Sequence, residues 1–169
     1  MHFAIHPSFT GDRGRFTVIA APLSPLLSAL GAALSKRKAA TLYLAGGNPA
    51  LFQGLIPVHH RLRLAAPESP RGLARAVADA REPYVIIEYD PCFAPEPGDA
   101  GAWLHACREQ AHDTGTAVLL AATAPASLPP AVTDAADRAF LMAALPVPPR
   151  GSRRTRGTGR QMTLGEAGP

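Results

Sequence analysis

A continuous apolar stretch that runs into two carboxylates most constrains what this chain can fold into. It covers residues 84–90, of sequence YVIIEYD, and lies between Pro83 and Pro91. An uninterrupted apolar run of this length predicts a strand that is buried on both faces, and such strands are typical of parallel sheets covered by helices. Ligands of α/β proteins bind outside the carboxyl ends of the strands. Glu88 and Asp90 therefore stand where such proteins do their chemistry.

Strand-like and helix-like segments alternate along the chain around this stretch. Aliphatic and β-branched runs predict strands at residues 16–21, 41–45, 61–64, 84–90, 116–123 and 138–145. Helical spacing of apolar residues predicts helices near residues 26–38, 71–81, 99–113 and 131–137. Ser24-Pro25 and Ser69-Pro70 predict two helix starts, because serine caps helices and proline is tolerated at their first position. The alternation predicts an α/β fold with a mainly parallel sheet flanked by helices.

Charge divides the chain into a domain at residues 1–145 and a basic tail at residues 146–169. The tail accounts for the net charge of +4, because it holds one acidic residue, Glu166, against five arginines. These are Arg150, Arg153, Arg154, Arg156 and Arg160. The tail is rich in Pro, Gly, Arg and Thr and cannot bury a core, so it is predicted to be disordered. The domain is neutral overall, and its charge gives no indication of a nucleic-acid groove.

The sequence favours a cytoplasmic location. No apolar run reaches about 18 residues, so no membrane-spanning helix is predicted. The first residues, MHFAIHP, lack the basic start and apolar core of a signal peptide. Cys92 and Cys107 are too few for a disulfide framework and are predicted to be free thiols.

The two carboxylates at the end of the 84–90 stretch have two interpretations. Hard cations such as Mg²⁺ take carboxylate ligands, so Glu88 and Asp90 could serve a divalent-metal-dependent enzyme. The alternative is a solvated strand end at which Asp90-Pro91 opens a loop, and this is the favoured interpretation. Strand alternation places Glu88 and Asp90 on one side and Tyr89 on the other.

Other side chains that could carry chemistry form no convincing set. His105 and His112 are seven residues apart and share a helix face, but Cys107 lies on a different side of the predicted helix, which is poor ligand geometry. The chain has no G-x-S-x-G nucleophile elbow. We therefore expect no metal site, no catalytic nucleophile and no cofactor.

Three segments resemble the core of the RecA-like ATPases, the superfamily of RadA- and KaiC-type proteins. Four apolar residues followed by Glu88 match the Walker B pattern of that family. Residues 116–120 resemble the strand that follows Walker B, and Ala136-Asp137-Arg138 before an apolar run is similar to a segment near the end of KaiC-like cores. The resemblance covers residues 16–145. It implies a RecA-like P-loop fold in which Glu88 occupies the Walker B position.

The phosphate-binding loop of that family has no counterpart in the chain. A P-loop requires G-x-x-x-x-G-K-[ST], because glycine backbone N–H groups surround the phosphates and the lysine reaches them. The corresponding residues 20–28, AAPLSPLLS, contain no glycine, no lysine and two prolines, which remove donors. The sequence therefore predicts a RecA-like fold without a functional Walker A motif, in which ATP hydrolysis is lost.

The end of the tail resembles the PIP box, the peptide with which replication and repair proteins bind a sliding clamp. The family pattern is a glutamine, an aliphatic residue three positions later and two aromatics after that. Gln161 and Leu164 match it, whereas Ala167 and Gly168 stand in place of the aromatics. The resemblance implies clamp binding through Gln161 and Leu164. The tail arginines could add weak, salt-dependent contacts to DNA phosphates.

These observations predict a non-catalytic accessory or regulatory protein of DNA repair or replication, which acts by binding a protein partner or DNA. Two alternatives stay open. One is the divalent-metal-dependent α/β enzyme that uses Glu88 and Asp90. The other is a protein-interaction domain without a connection to DNA.

Overall fold

An all-parallel sheet organises the part of the chain that the structure describes. The structure, a computed structural model, describes residues 13–36, 38–47, 49–55, 62–93, 100–124 and 128–142. Within these residues six strands pair in the order β3-β2-β4-β5-β1-β6. The strands are β1 (Arg15–Ala20), β2 (Thr41–Leu44), β3 (Leu62–Ala65), β4 (Tyr84–Glu88), β5 (Ala117–Ala122) and β6 (Arg138–Leu141). The predicted α/β fold with a parallel sheet is confirmed.

Helices cover both faces of the sheet. They are α1 (Leu23–Ser35), α2 (Ala50–Gly54), α3 (Pro70–Ala78), α4 (Ala100–Thr114) and α5 (Pro130–Ala135). Val85 and Ile87 of β4 belong to a buried cluster with residues of α3, α4 and α5, including the fully buried Trp103. Ile86 belongs to a second cluster with residues of α1 and α2. Successive residues of a strand point to opposite faces, so β4 contributes to both clusters and both faces are covered.

The exposure of each strand depends on its position in the sheet. Strand β4 pairs with β2 and β5, and all six residues of β5 are buried. The two edge strands are more exposed: Leu64 of β3 and both Phe140 and Leu141 of β6 are large apolar residues at the surface. The predicted short strand near an edge at residues 61–64 is confirmed as β3.

The two predicted Ser-Pro helix starts have different outcomes. At α3 the prediction is confirmed, because Ser69 Oγ accepts a hydrogen bond from the backbone N–H of Gly72 at 3.1 Å, with Pro70 in the first helical position. At α1 it is wrong, since the helix begins at Leu23 with Pro22 as its N-cap. Pro22 accepts the first helical bond through its carbonyl, from Leu26 N at 3.2 Å. Ser24 therefore lies inside the first turn and is not the N-cap.

Several predictions fall on residues outside the described ranges. The cap predicted at Asp99 and the whole tail at residues 146–169 are among them. The last strand, predicted over residues 138–145, ends at Leu141. Among the described residues no helix is long and apolar enough to cross a membrane. Both cysteines are free, with Cys92 exposed and Cys107 buried.

Candidate functional site

Glu88, the last residue of β4, is buried and fully engaged by donors of the protein. Its side chain accepts three hydrogen bonds: from the Tyr43 hydroxyl at 2.6 Å, from Leu51 N at 2.9 Å and from Phe52 N at 3.3 Å. Only 6% of the residue is exposed. The interpretation of Glu88 as a solvated strand end is therefore wrong.

The reason for this burial lies in the start of α2. The N-cap of α2 is Pro49, which makes no side-chain capping bond. The second and third N–H groups of a helix normally bond to the side chain of the N-cap residue. In α2 these groups belong to Leu51 and Phe52, and Glu88 accepts from both. A carboxylate from the neighbouring strand thus replaces the missing cap, and its charge suits the positive end of the helix.

Tyr43 of β2 completes this buried group. Burial, followed by the hydrogen bond and the negative charge of Glu88, raises the pKa of the Tyr43 hydroxyl far above its ordinary value. The hydroxyl therefore stays protonated at neutral pH and donates to Glu88. The Tyr43 ring also packs on Phe52 with ring centroids 5.3 Å apart. Tyr43, Glu88 and α2 consequently form one structural unit, which we call the Glu88 network (Tyr43, Leu51, Phe52 and Glu88).

Asp90 has a separate, local role two residues further on. Its Oδ1 accepts from Cys92 N at 2.8 Å, and Phe93 N donates to its carbonyl at 2.9 Å. These bonds open a 3₁₀ turn at Pro91–Phe93. Asp90 is partly exposed, in agreement with its interpretation as the residue that opens a loop. Tyr89 packs against the cluster formed with α3 and α4, on the face opposite Glu88.

The Asp90 side chain lies directly against Gly46, which follows β2. A Cβ atom at Gly46 would overlap with Asp90 Oδ2 and stand 2.8 Å from Asp90 Cβ. Real Cβ atoms do not approach other atoms so closely, so the backbone at residue 46 requires glycine. The ends of β2 and β4 are therefore in close contact at the carboxyl edge of the sheet.

The side chains around this edge offer little reactive chemistry. Both oxygens of Glu88 already accept from the protein, so a cation bound there would have to displace those donors. Partial burial, then the hydrogen bond and charge of Asp90, raise the pKa of the Cys92 thiol to about 11. Cys92 is therefore a neutral thiol at pH 7 and not an activated nucleophile. Among the described residues, no group of three or more His, Cys, Asp and Glu side chains could hold a metal ion.

The junction between β1 and α1 is too short to surround phosphates. Only Ala21 and Pro22 lie between the strand and the helix. Ala21 N donates to Ala122 O at 3.0 Å, and Leu26 N donates to Pro22 O. Pro25 has no N–H group. The backbone donors of this junction are therefore mostly bonded or missing.

A second polar group, which the sequence did not indicate, lies at the amino end of the sheet. Asp137 Oδ2 accepts from Phe16 N at 2.7 Å, and Asp137 N donates to Phe16 O at 2.9 Å. His112 Nε2 lies 3.0 and 3.1 Å from the two carboxylate oxygens of Asp137. Asp137 thus ties the start of β6 to β1 and α4. Phe16 and His112 are far from Asp137 in the sequence. The only feature of the sequence that pointed to this region was the Asp137-Arg138 pair before the last predicted strand.

Asp137 gives a stability prediction with a defined pH dependence. Burial raises the pKa of its carboxyl, but bonds from Phe16 N and His112, with the Arg108 charge, outweigh this effect and lower it overall. A lowered pKa adds stability above the unfolded-state value near 4, and this stability is lost as pH falls through the folded-state value. We expect Asp137→Asn to cost about 1 kcal/mol at pH 7, and this cost to shrink below about pH 4.

Urea unfolding at a series of pH values measures this difference. Asp113→Asn, at an exposed position of the same helix as His112, is the control and should change stability by less than about 0.5 kcal/mol at every pH. A cost of Asp137→Asn that stays constant down to pH 2 would contradict the assignment.

The remaining predicted site residues lie elsewhere. Gln161, Leu164 and the tail arginines Arg150, Arg153, Arg154, Arg156 and Arg160 fall outside the described residues. His105 lies 3.0 Å from Glu109 on the same helix, and Cys107 is buried in the core, so the structure does not bring them together with His112. No protein-family model matches the chain, and no curated protein matches it significantly.

Proposed function

We propose that this chain is a RecA-like α/β domain that has lost ATP hydrolysis and acts as an accessory or regulatory protein in DNA repair or replication. It would work by binding a protein partner, for which a sliding clamp is the candidate, and by weak DNA contacts. The observation that carries the proposal is the state of Glu88. The carboxylate of Glu88, which the resemblance assigns to the Walker B position, is buried and caps α2.

The β1–α1 junction supports the loss of nucleotide binding. Triphosphate binding relies on a loop of free backbone N–H groups at a helix start, together with a lysine. Here a two-residue connection replaces the loop, Pro22 occupies the N-cap of α1, and Pro25 removes a donor in its first turn. Nucleotide and Mg²⁺ would each need a rearrangement of this edge of the sheet.

The strand order supports the α/β part of the proposal. In this chain β5 stands between β1 and β4 and pairs in parallel with both. Glu88 and the β1–α1 junction therefore lie at the same edge of one parallel sheet.

Partner binding is assigned to the tail. The five tail arginines supply a positive charge that the neutral domain lacks, and phosphate contacts of this kind are weakened by salt. Gln161 and Leu164 supply the two matching positions of a clamp-binding peptide. Because Ala167 and Gly168 replace the aromatic anchors that dominate such interfaces, we expect clamp binding at micromolar strength or weaker, about −8 kcal/mol.

Calorimetric titration of the full chain tests the proposal in three arms. With Mg-ATP we expect no saturable binding and no phosphate release. With a sliding clamp we expect binding that Gln161→Ala/Leu164→Ala reduces at least about tenfold, equivalent to 1.4 kcal/mol. With single-stranded DNA we expect weak binding that falls steeply with salt and is lost when the five arginines are replaced by glutamine.

Each arm has an outcome that contradicts the proposal. Saturable Mg-ATP binding with phosphate release would overturn the loss of hydrolysis. Release that depends on Mg²⁺ and disappears in Glu88→Gln would instead favour the metal-dependent enzyme. Absence of both clamp and DNA binding would leave the interaction domain without a connection to DNA as the better hypothesis.

A further inference from the structure

We propose that two copies of this chain associate through the free edge of β6, about a two-fold axis that passes beside Phe140. The two β6 strands pair antiparallel, with Phe140 opposite its own equivalent and Ala139 opposite Leu141 of the second copy. The two sheets thereby become one continuous sheet. The association requires no nucleotide, clamp or DNA, so it stands apart from the proposed function.

The exposed apolar surface of the described residues is concentrated beside β6. Large apolar side chains with considerable exposure are Leu23 at 41%, Leu64 at 46%, Phe140 at 50% and Leu141 at 55%. Phe140 and Leu141 belong to β6, and Leu23 follows the end of β1, the strand that pairs with β6. Exposed apolar patches of this kind mark sites of protein interaction.

The two edges of the sheet differ in their protection against another strand. Charged residues discourage pairing at a sheet edge, and β3 carries Arg63, which forms an ion pair with Glu82. Among the described strands β6 pairs only with β1, and all four of its residues are exposed. Residues 139–141 of β6 include no charge and no proline. The edge of β6 is therefore the one that can accept another strand.

The hydrogen-bonding directions of β6 suit a second copy of the same strand. Met142 N donates to Ala20 O of β1 at 2.8 Å. Backbone N–H groups alternate in direction along a strand, so the N–H groups of Ala139 and Leu141 point away from β1. With the axis beside Phe140, Ala139 of each copy exchanges hydrogen bonds with Leu141 of the other. An axis beside either of these two residues would pair only that residue within the strand.

The side chains also match under this symmetry. Phe140 pairs with Ile19 in the sheet register and so lies on the face on which α1 packs. Opposite its equivalent it forms a non-hydrogen-bonded pair, in which cross-strand side chains come closest and aromatic pairs stabilise the sheet. On the other face the small Ala139 stands opposite the large Leu141 of the second copy. An interface between identical patches must be self-complementary, and β6 meets this condition.

The distribution of charge is compatible with a second copy in this orientation. Arg138, at the start of β6, already has an interaction within the chain. In the proposed register it stands opposite Met142 of the second copy and needs no new partner. The two copies of Arg138 lie about 13 Å apart along the strands, beyond the screening length of about 8 Å at physiological salt. Residues 1–145 carry equal numbers of acidic and basic side chains, so the two domains do not repel each other.

The length of the edge limits the strength of the dimer. Strand β6 has four residues, which extend over about 13 Å. Standard protein interfaces bury about 800 Å² of each partner, and smaller ones are typical of weak, transient association. We therefore expect a reversible dimer with a dissociation constant on the order of 10–100 μM.

Sedimentation equilibrium of the full chain without any ligand, from about 1 to 500 μM, tests the proposal. We expect the monomer to convert to a dimer over this range. Phe140→Lys places two like charges opposite each other at the axis and should weaken association at least about tenfold. Leu64→Lys, at a similarly exposed position on the other edge strand, is the matched control and should leave association unchanged. Both positions are about half exposed, so both variants fold, and circular dichroism checks this.

A mixing experiment shows whether Phe140 faces its own equivalent. Phe140→Lys and Phe140→Glu should each associate weakly alone, whereas their equimolar mixture should associate at least about tenfold more tightly than either. Only a residue that faces itself across a two-fold axis gives this result. A wild type that stays monomeric, a Phe140→Lys variant that dimerises like the wild type, or a mixture that gains nothing would each overturn the proposal.

Disulfide trapping tests the register. In a Cys92→Ser background, which removes the exposed native thiol, Phe140→Cys should form a disulfide-linked dimer in glutathione disulfide. The Cα atoms of a non-hydrogen-bonded pair lie about 4.5 Å apart, within the range of a disulfide. Ala139→Cys faces Leu141 of the second copy and should cross-link at least about tenfold more slowly. Equal rates would contradict the register. Protection of the Leu141 amide from exchange in the dilute monomer would overturn the proposal, since another segment of the chain would then cover the edge.

Discussion

Replacement of Glu88 by alanine is expected to lower the free energy of unfolding by about 3–5 kcal/mol. The substitution removes the acceptor shared by Tyr43, Leu51 and Phe52 and leaves three donors at a buried site. Each donor without a partner costs roughly 1–3 kcal/mol. Removal of a buried charge returns part of that cost, because the carboxylate no longer has to be desolvated. The bonds from Leu51 N and Phe52 N form the cap of α2, so the cost of losing the cap is already included.

Graded variants separate these contributions. Tyr43→Phe removes one donor without exposing another group, so we expect a loss of about 1–2 kcal/mol. Glu88→Gln keeps the size of the side chain but turns one acceptor into a donor, and should fall between Tyr43→Phe and Glu88→Ala. Urea unfolding followed by circular dichroism measures the stability of all three variants. The urea concentration at the midpoint should change, whereas the slope of the unfolding free energy against urea concentration should stay constant.

Glu109→Ala is the matched control, because Glu109 is an exposed acid that pairs with His105 one helical turn away. It should cost less than about 0.5 kcal/mol. A similar small cost for Glu88→Ala would show that Glu88 is not a structural acid. The proposal that its carboxylate has been diverted from catalysis to helix capping would then lose its main support.

Gly46→Ala is expected to destabilise the protein by about 2–3 kcal/mol, although it adds a single methyl group. The new Cβ would overlap with the Cβ, Cγ and Oδ2 atoms of Asp90. Asp90 is held by its bond from Cys92 N, and its Cβ cannot rotate away. The ends of β2 and β4 would therefore have to separate, which disturbs the edge of the sheet next to the Glu88 network.

Two comparisons test the cause of this loss. Gly31→Ala lies in α1, where an added Cβ meets no atom within 4 Å, and should stabilise the helix by roughly 0.5–1 kcal/mol. Asp90→Gly removes every atom that a Cβ at residue 46 would overlap. The double variant Gly46→Ala/Asp90→Gly should therefore be at least about 1 kcal/mol more stable than the sum of the two single effects predicts. Thermal or urea unfolding measures the stability of the two single variants and the double variant. If the effects of Gly46→Ala and Asp90→Gly on stability are additive, the steric explanation is ruled out.

Local pattern determined much of the architecture. The apolar run at residues 84–90, the alternation of strands with helices and the Ser69-Pro70 start of α3 were readable from the sequence, because hydrophobic periodicity and capping act over a few residues. The position of α1 was harder to predict. Two pairs of residues, Pro22-Leu23 and Ser24-Pro25, could each begin the helix. The hydrogen bond from Ala21 N to Ala122 O keeps Ala21 in the sheet, and the helix begins two residues later at Leu23.

Tertiary structure alone decided the role of the site residues. The sequence places Glu88 at the end of a buried strand, but it does not reveal that Pro49 leaves α2 without a cap. Nor does it reveal that Tyr43, which lies opposite Ile86 on the neighbouring strand, donates a hydrogen bond to Glu88. The same holds for Asp137, whose partners Phe16 and His112 come from distant segments. A carboxylate at a strand end looks the same in sequence whether it faces water, a metal or a helix start. The donors that surround it come from elsewhere in the chain, and only folding brings them within hydrogen-bonding distance.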